Sequence, residues 1–264
     1  MFMSRVDRAR QAFLQKNPDQ IKKAHSIESI HKDIHHNEAH IKDFNLPKII
    51  LGGQDGLVNV LGVILGVAAA TSSSQIVIVA GLAATFAESI SMAAVAYTSK
   101  LAEADYYQSE YEREKWEIDH IPAGEKEEIK ALYENYGFKG KVLDEIVEKI
   151  TSDKKIWLQV MMEQELKLEP VDRKQAFPAA FIVGLSAIIG SFIPLFPFFF
   201  LAIKKAIVLS LLVSALALFI VGYYKAKKTL GRELLRQGIE MTVIGMVSAL
   251  VGYFVGSLFK ISNF

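Results

Sequence analysis

Five stretches of this chain are long, apolar and almost free of charge, and they decide its solvent before anything else. A helix crossing a hydrocarbon core about 30 Å thick needs about 20 consecutive, mostly apolar residues. Residues 47–70, 75–98, 176–198, 203–224 and 238–259 meet that requirement. Between Leu57 and Thr98 the only ionisable side chain besides Tyr97 is Glu88, and between Gln175 and Tyr223 the only charges are Lys204 and Lys205. Most of the carboxylates fall instead in residues 100–174. The fold class that follows is an all-α integral membrane protein, with five transmembrane helices and a helical insert between spans two and three. The net charge of +1 offers no global attraction for nucleic acid. The absence of cysteine excludes a disulfide framework, a thiolate metal site and a Cys nucleophile.

Four segments result: a His-rich tail over 1–45, spans one and two over 46–99, the insert over 100–174, and spans three to five over 175–264. The first 45 residues lack an apolar core and do not read as a signal peptide. Lys and Arg set the orientation. Residues 1–48 carry nine, the loop 225–236 carries five, and the insert carries thirteen. On the other side stand a Thr71–Gln75 loop with none, then Lys204, Lys205 and Lys260. The N-terminus and the insert are therefore expected in the cytoplasm, and the C-terminus outside.

The insert reads as helical. From Gln75 to His120 there is no Pro and only one Gly, so the second span is expected to continue as one helix about 30 Å beyond the membrane. Pro122 ends it. Further helices are expected near 124–136, with Ile129, Leu132, Tyr133 and Tyr136 as the apolar stripe, and near 140–151, with Val142, Leu143, Ile146, Val147 and Ile150. A last one is expected near 153–168, stopped by Pro170.

Acidic residues come in pairs on these helices. Glu114 and Glu117, and Glu125 and Glu128, are i, i+3, and Met161 and Met162 lie one turn from Glu165. Residues three or four apart share a helix face. Each pair can aim two oxygens at one point, where a cation or protons must neutralise them. A solvated acidic face with Lys115, Lys126 and Lys130 as partners is the plainer reading. Thioethers beside carboxylates suit a borderline metal such as Fe(II) better than Mg or Ca.

Two acids sit inside the spans. Asp55 lies roughly 13 Å into the first span at 1.5 Å per residue. Glu88 enters from the other side and ends about 10 Å from the cytoplasmic face of a 30 Å core. The two carboxylates are thus expected at similar depth, with Asn59 one turn from Asp55 and Met92 one turn from Glu88. Such an acid costs about 2.5–3.5 kcal/mol on insertion scales, and it normally faces a partner or a pathway. A protonated Asp55 bonded to a carbonyl is the structural alternative. Gly52/Gly56, Gly62/Gly66 and Gly252/Gly256 are small-xxx-small pairs, which fit either tight helix contacts or a dimer seam. In the tail, His31/His35 and His36/His40 have the i, i+4 spacing of a helical chelate, with His25, Glu28 and Glu38 nearby.

These residues resemble a known family. Gln54-Asp55-Gly56-Leu57, Ser89-Ile90-Ser91-Met92, the acidic insert and the run Gly190-Ser191-Phe192-Ile193-Pro194-Leu195-Phe196-Pro197-Phe198 are similar to the vacuolar iron transporters of eukaryotes and their prokaryotic relatives. The resemblance covers about 46–259. It implies a homodimeric Fe(II)/proton antiporter exporting iron from the cytosol, in a cell membrane if prokaryotic and a vacuolar-type membrane if eukaryotic. It implies that Asp55 and Met92 line the path, and that Glu114, Glu117, Glu125, Glu128, Met161, Met162 and Glu165 collect metal. Glu88 and Asn59 are expected to assist Asp55. Divalent metal, protons, the bilayer and a second copy are the expected partners. Mn(II), Co(II) and Zn(II) are rival cargoes, and no prosthetic group is expected. A membrane-anchored metal sensor or storage scaffold is the alternative of a different class. Enzyme function has little support, because no nucleophile–base pair, phosphate loop or His-Glu-x-x-His occurs, and the insert, whose only histidine is His120, holds a single Glu-x-x-His at Glu117–His120 where di-iron sites use two.

Overall fold

The computed structural model describes residues 8, 12–13, 15–27, 45–71, 73–229 and 232–259. Among these residues the secondary structure is helical throughout. A short α1 (Pro18–Ala24) is capped by Asn17, whose side chain accepts from the Gln20 amide. Then follow α2 (Leu46–Thr71), α3 (Ser74–His120), α4 (Pro122–Asn135), α5 (Gly140–Thr151), α6 (Lys154–Val160), α7 (Ala176–Leu195), α8 (Ile203–Thr229) and α9 (Leu234–Leu258). Five of them, α2, α3, α7, α8 and α9, are long and apolar enough to cross a membrane. The chain is a multi-pass membrane protein. It divides into two compact units, residues 1–89 with 182–264, and residues 90–181.

In the first unit α9 packs along α2 and α8. Leu61, Ile64 and Leu65 of α2 are fully buried with Val77, Leu195, Phe198 and Ala249. The paired glycines settle into seams within the chain. A Cβ on Gly256 would strike the Gly66 carbonyl, one on Gly252 would strike the Gly62 carbonyl, and one on Gly66 would come within 2.9 Å of the Gly252 oxygen. Gly52 and Gly56 meet the backbone of α7 at Val183 and Ala187 in the same way. Between apolar helices in lipid, the hydrophobic effect adds little, so close backbone approach carries the association. Pro194 leaves the α7 ladder one donor short, and the chain tightens into a 3-10 turn at Phe196–Phe199. The buried Ser210 hydroxyl donates 2.7 Å to the Pro194 carbonyl.

The second unit surrounds Ile118, Ile129, Trp157, Leu158, Met161 and Met162. Asp153 caps α6 by accepting from the Lys155 and Ile156 amides, and Lys154 pairs with Asp119 of α3 at 2.5 Å. The expected stripes are narrower than their apolar residues suggest: Ile129 and Leu143 are buried, whereas Tyr136 and Val142 are exposed at 64% and 55%. Tyr136 is already the C-cap, at the very end of α4. The last expected helix of the insert is shorter than its sequence pattern. After Val160 it widens into a π-helical turn, Met161–Glu165, closed by the Leu166 amide on the Met161 carbonyl at 3.0 Å. Adjacent residues of an α-helix point about 100° apart. The wider turn lets Met161 and Met162 both turn inward, and each is buried.

Candidate metal sites

The second unit gathers five glutamates from three elements. Helix α3 supplies Glu114 and Glu117, α4 supplies Glu125 and Glu128, and the π turn supplies Glu165. Glu114, Glu117 and Glu125 each offer an oxygen within 4.8 Å of the others. Glu114 is 1% exposed and Glu125 2%, while Glu128 stays at the surface. Oε2 of Glu114, of Glu125 and of Glu165 is buried without a hydrogen-bond partner. Buried carboxylate oxygens are normally satisfied, so three orphans on neighbouring groups mark a place for a proton or a cation. Burial pushes the Glu125 carboxyl up to about 7, and the charges of Glu128, Glu114, Glu117 and Glu165 push the same way. Glu165 is likewise raised to about 7, by burial first and then by Glu128 and Glu114. Burial also raises Glu114, against the opposing pull of Arg113.

The solvated acidic face expected from composition is therefore not what forms here. Two of its glutamates are interior, and the cation beside them is Arg113 rather than Lys115, Lys126 or Lys130. Arg113 reaches Glu114 at 2.7 Å, Glu117 at 2.6 Å and Glu110 at 2.8 Å. Sequence reasoning missed it, although its spacing of i−3 and i+4 to Glu110 and Glu117 is an ordinary helical pairing signal. Met161 and Met162 complete the inner surface of this unit from the π turn.

The first unit brings the intramembrane residues together. Asn59 Nδ2 donates a 2.5 Å hydrogen bond to Glu88 Oε1, and Asp55, one turn before Asn59 on α2, is close enough to the same carboxyl group to interact with it electrostatically. Asn59 of α2 and Glu88 of α3 are thus direct neighbours. Asp55 and Glu88 are half-buried and Asn59 is exposed. Leu51, Asp55, Asn59 and Val63 recur every four residues and face outward from the single chain, opposite the seam of Gly52 and Gly56. Met92 lies four residues beyond Glu88 on α3, half-buried, and belongs to the second unit. His31, His35, His36, His40, Glu28 and Glu38 lie outside the described residues. The ring Nδ1 of His25 lies 2.9 Å from the Ile21 carbonyl oxygen.

Five membrane-crossing helices, with acidic side chains gathered both within the spans and in a separate helical unit, define a multi-pass membrane protein with two carboxylate centres. The chain belongs to the VIT family, whose model matches residues 46–257. It is 34% identical over 221 residues to vacuolar iron transporter 1 of Arabidopsis thaliana, covering 83% of this chain and 88% of that protein. It is 31% identical over 273 residues to the vacuolar iron transporter of Toxoplasma gondii, with 97% and 89% covered. Against the vacuolar iron transporter of Plasmodium berghei it is 29% identical over 249 residues, with 89% and 91% covered.

Proposed function

We propose that this protein is a proton-coupled antiporter that exports Fe(II) from the cytosol, working as a homodimer and not as an enzyme. The observation that carries the reading is the convergence of Asp55, Asn59 and Glu88 from two spanning helices. Two carboxyl groups side by side repel as anions, and either a proton or a metal cation removes that repulsion. One place that accepts either, but not both, is what exchange of metal for protons requires. The names of the relatives support iron as the cargo.

The insert works on the cytoplasmic side, together with the N-terminus. Glu114, Glu117, Glu125, Glu128 and Glu165 draw a divalent cation, and Met161 and Met162 add soft donors that favour Fe(II) over Mg(II). The metal then passes to Asp55 and Met92, with Glu88 and Asn59 assisting. Protons arriving from the far side discharge it. The outward-facing stripe through Asp55 and Asn59 supports the homodimer, since polar groups at this depth are costly against lipid and a second copy would cover them.

Reconstitution in liposomes tests the function. Fe(II) flux should exceed that of protein-free vesicles, and competition by Mn(II), Co(II) and Zn(II) ranks the cargo. Tight metal binding without any flux would instead establish the anchored sensor or scaffold.

A further inference from the structure

A surface arginine usually serves one carboxylate. Arg113 serves three, and one of them is its immediate neighbour in sequence. Side chains at i and i+1 of a helix do not face each other, so contact with the buried Glu114 requires the guanidinium, whose side chain stays 45% exposed, to reach round the helix surface. It does so at 2.7 Å from Glu114 Oε1, while its other amino group holds Glu117 at 2.6 Å and its Nε lies 3.1 Å from Glu110. Glu114 is thereby divided: Oε1 faces the guanidinium and Oε2 is buried without a partner.

We propose that Arg113 is the specificity-determining residue of the insert's metal cluster, a resident counter-ion that a cation relying on carboxylates alone must displace from Glu114 and Glu117. The inference rests on the reading of that cluster as a metal site and adds what sets its choice of metal. A planar, permanently charged fork bonded to two carboxylates is a strong competitor. A cation offered only oxygen ligands, such as Mg(II), must shed tightly held water and also expel the fork. A cation that takes the thioethers of Met161 and Met162 needs fewer carboxylate oxygens and can bind while the fork stays on Glu114 and Glu117, so the cost of expelling it falls on oxygen-only cations and does not cancel in the ratio. The arginine therefore sets a threshold that hard cations fail to pass.

The test is calorimetric titration of the full-length protein in detergent with Fe(II) under anaerobic conditions and with Mg(II), on wild type and three variants. Arg113→Gln is expected to tighten Mg(II) binding by about tenfold or more while Fe(II) changes much less, so that the Fe(II)/Mg(II) ratio collapses. Arg113→Lys, which keeps the charge but loses the fork, should lie between. Lys139→Gln, the same charge change on a residue outside the cluster, should leave the ratio at its wild-type value. A ratio unchanged in both Arg113 variants, or equal weakening of both metals, overturns the proposal while the metal site stands. If Arg113→Gln does not fold, a wild-type ratio in Arg113→Lys overturns it alone. Failure of wild type to bind Fe(II) overturns both the proposal and the reading beneath it.

Discussion

Asn59 of α2 donates to the Glu88 carboxylate of α3 at 2.5 Å, which joins the first two spanning helices through a polar contact inside their apolar lengths. The bond leaves Glu88 its second oxygen and sets it beside Asp55, so the pair can hold a proton or a metal. Glu88→Gln keeps a hydrogen-bond partner for Asn59 but removes one of the two charges. Fe(II) flux in liposomes should fall by at least about tenfold, while circular dichroism and the yield of folded protein stay at wild-type values. Full flux would remove Glu88 from the site.

The insert should titrate visibly near neutrality. Glu125 and Glu165 have carboxyls raised to about 7 and must lose protons to hold a metal. Well below pH 7 each bound proton costs about tenfold in affinity per pH unit, and across the pKa itself, from pH 7 to pH 6, the two groups together should lower affinity by about thirtyfold. Above pH 8 it should level off. Glu125→Gln should halve the slope in a plot of log Kd against pH.

The same carboxyls bear on stability with a defined sign. Their folded values lie above that of an unfolded glutamate, 4.5. The folded insert thus binds protons more tightly, and the resulting stability is present below about pH 4.5 and lost as pH rises through about 7. Metal-free protein should melt at a lower temperature at pH 8 than at pH 6. Added Fe(II) should reverse that order, because it replaces the missing protons. Glu125→Gln should melt higher than wild type without metal at pH 8 and gain less from metal.

How much of this could be read from residues alone depends on what each feature leaves in the sequence. The spans announce themselves because a charge within them is costly, and the unbroken α3 follows from the lack of proline between Gln75 and His120. The meeting of Asp55 and Glu88 follows from depth, since rise per residue is fixed. A π turn leaves no such trace: Met161–Glu165 has ordinary helix formers, and widening depends on what packs against it. Glycine pairs give the closeness of a contact but not its owner, so Gly62, Gly66, Gly252 and Gly256 fit a dimer seam until α9 is seen lying on α2. Arg113 escaped notice because it stands among glutamates as one more surface charge, and only its 2.7 Å contact with the buried Glu114 distinguishes it from Lys115.

The glycine seam gives a stability prediction independent of any metal. Gly256→Val puts a branched side chain where the Gly66 backbone lies, and neither helix can yield without disturbing the other. The cost should be about 1–3 kcal/mol, read as a lower melting temperature of the detergent-solubilised protein. Gly124→Ala, where nothing lies within 4 Å of the added carbon, should be harmless by the same assay.

Sulfur should matter for choice of metal more than for folding. Met161→Leu with Met162→Leu keeps the volume and the burial, so stability should change by less than about 1.5 kcal/mol per site. Competition titrations should show the preference moving from Fe(II) towards Mn(II) by several-fold, since only the thioethers discriminate between them by softness.

The central claim is that metal and protons contest one pair of carboxyl groups within the membrane. It is tested most directly by recording internal pH and Fe(II) together in liposomes carrying the reconstituted protein under an imposed pH gradient. Each movement of Fe(II) should be matched by protons in the opposite direction, the rate should rise with the gradient, and Asp55→Ala should abolish both signals. Fe(II) flux of equal rate with and without the gradient, and without any pH change, would contradict the account.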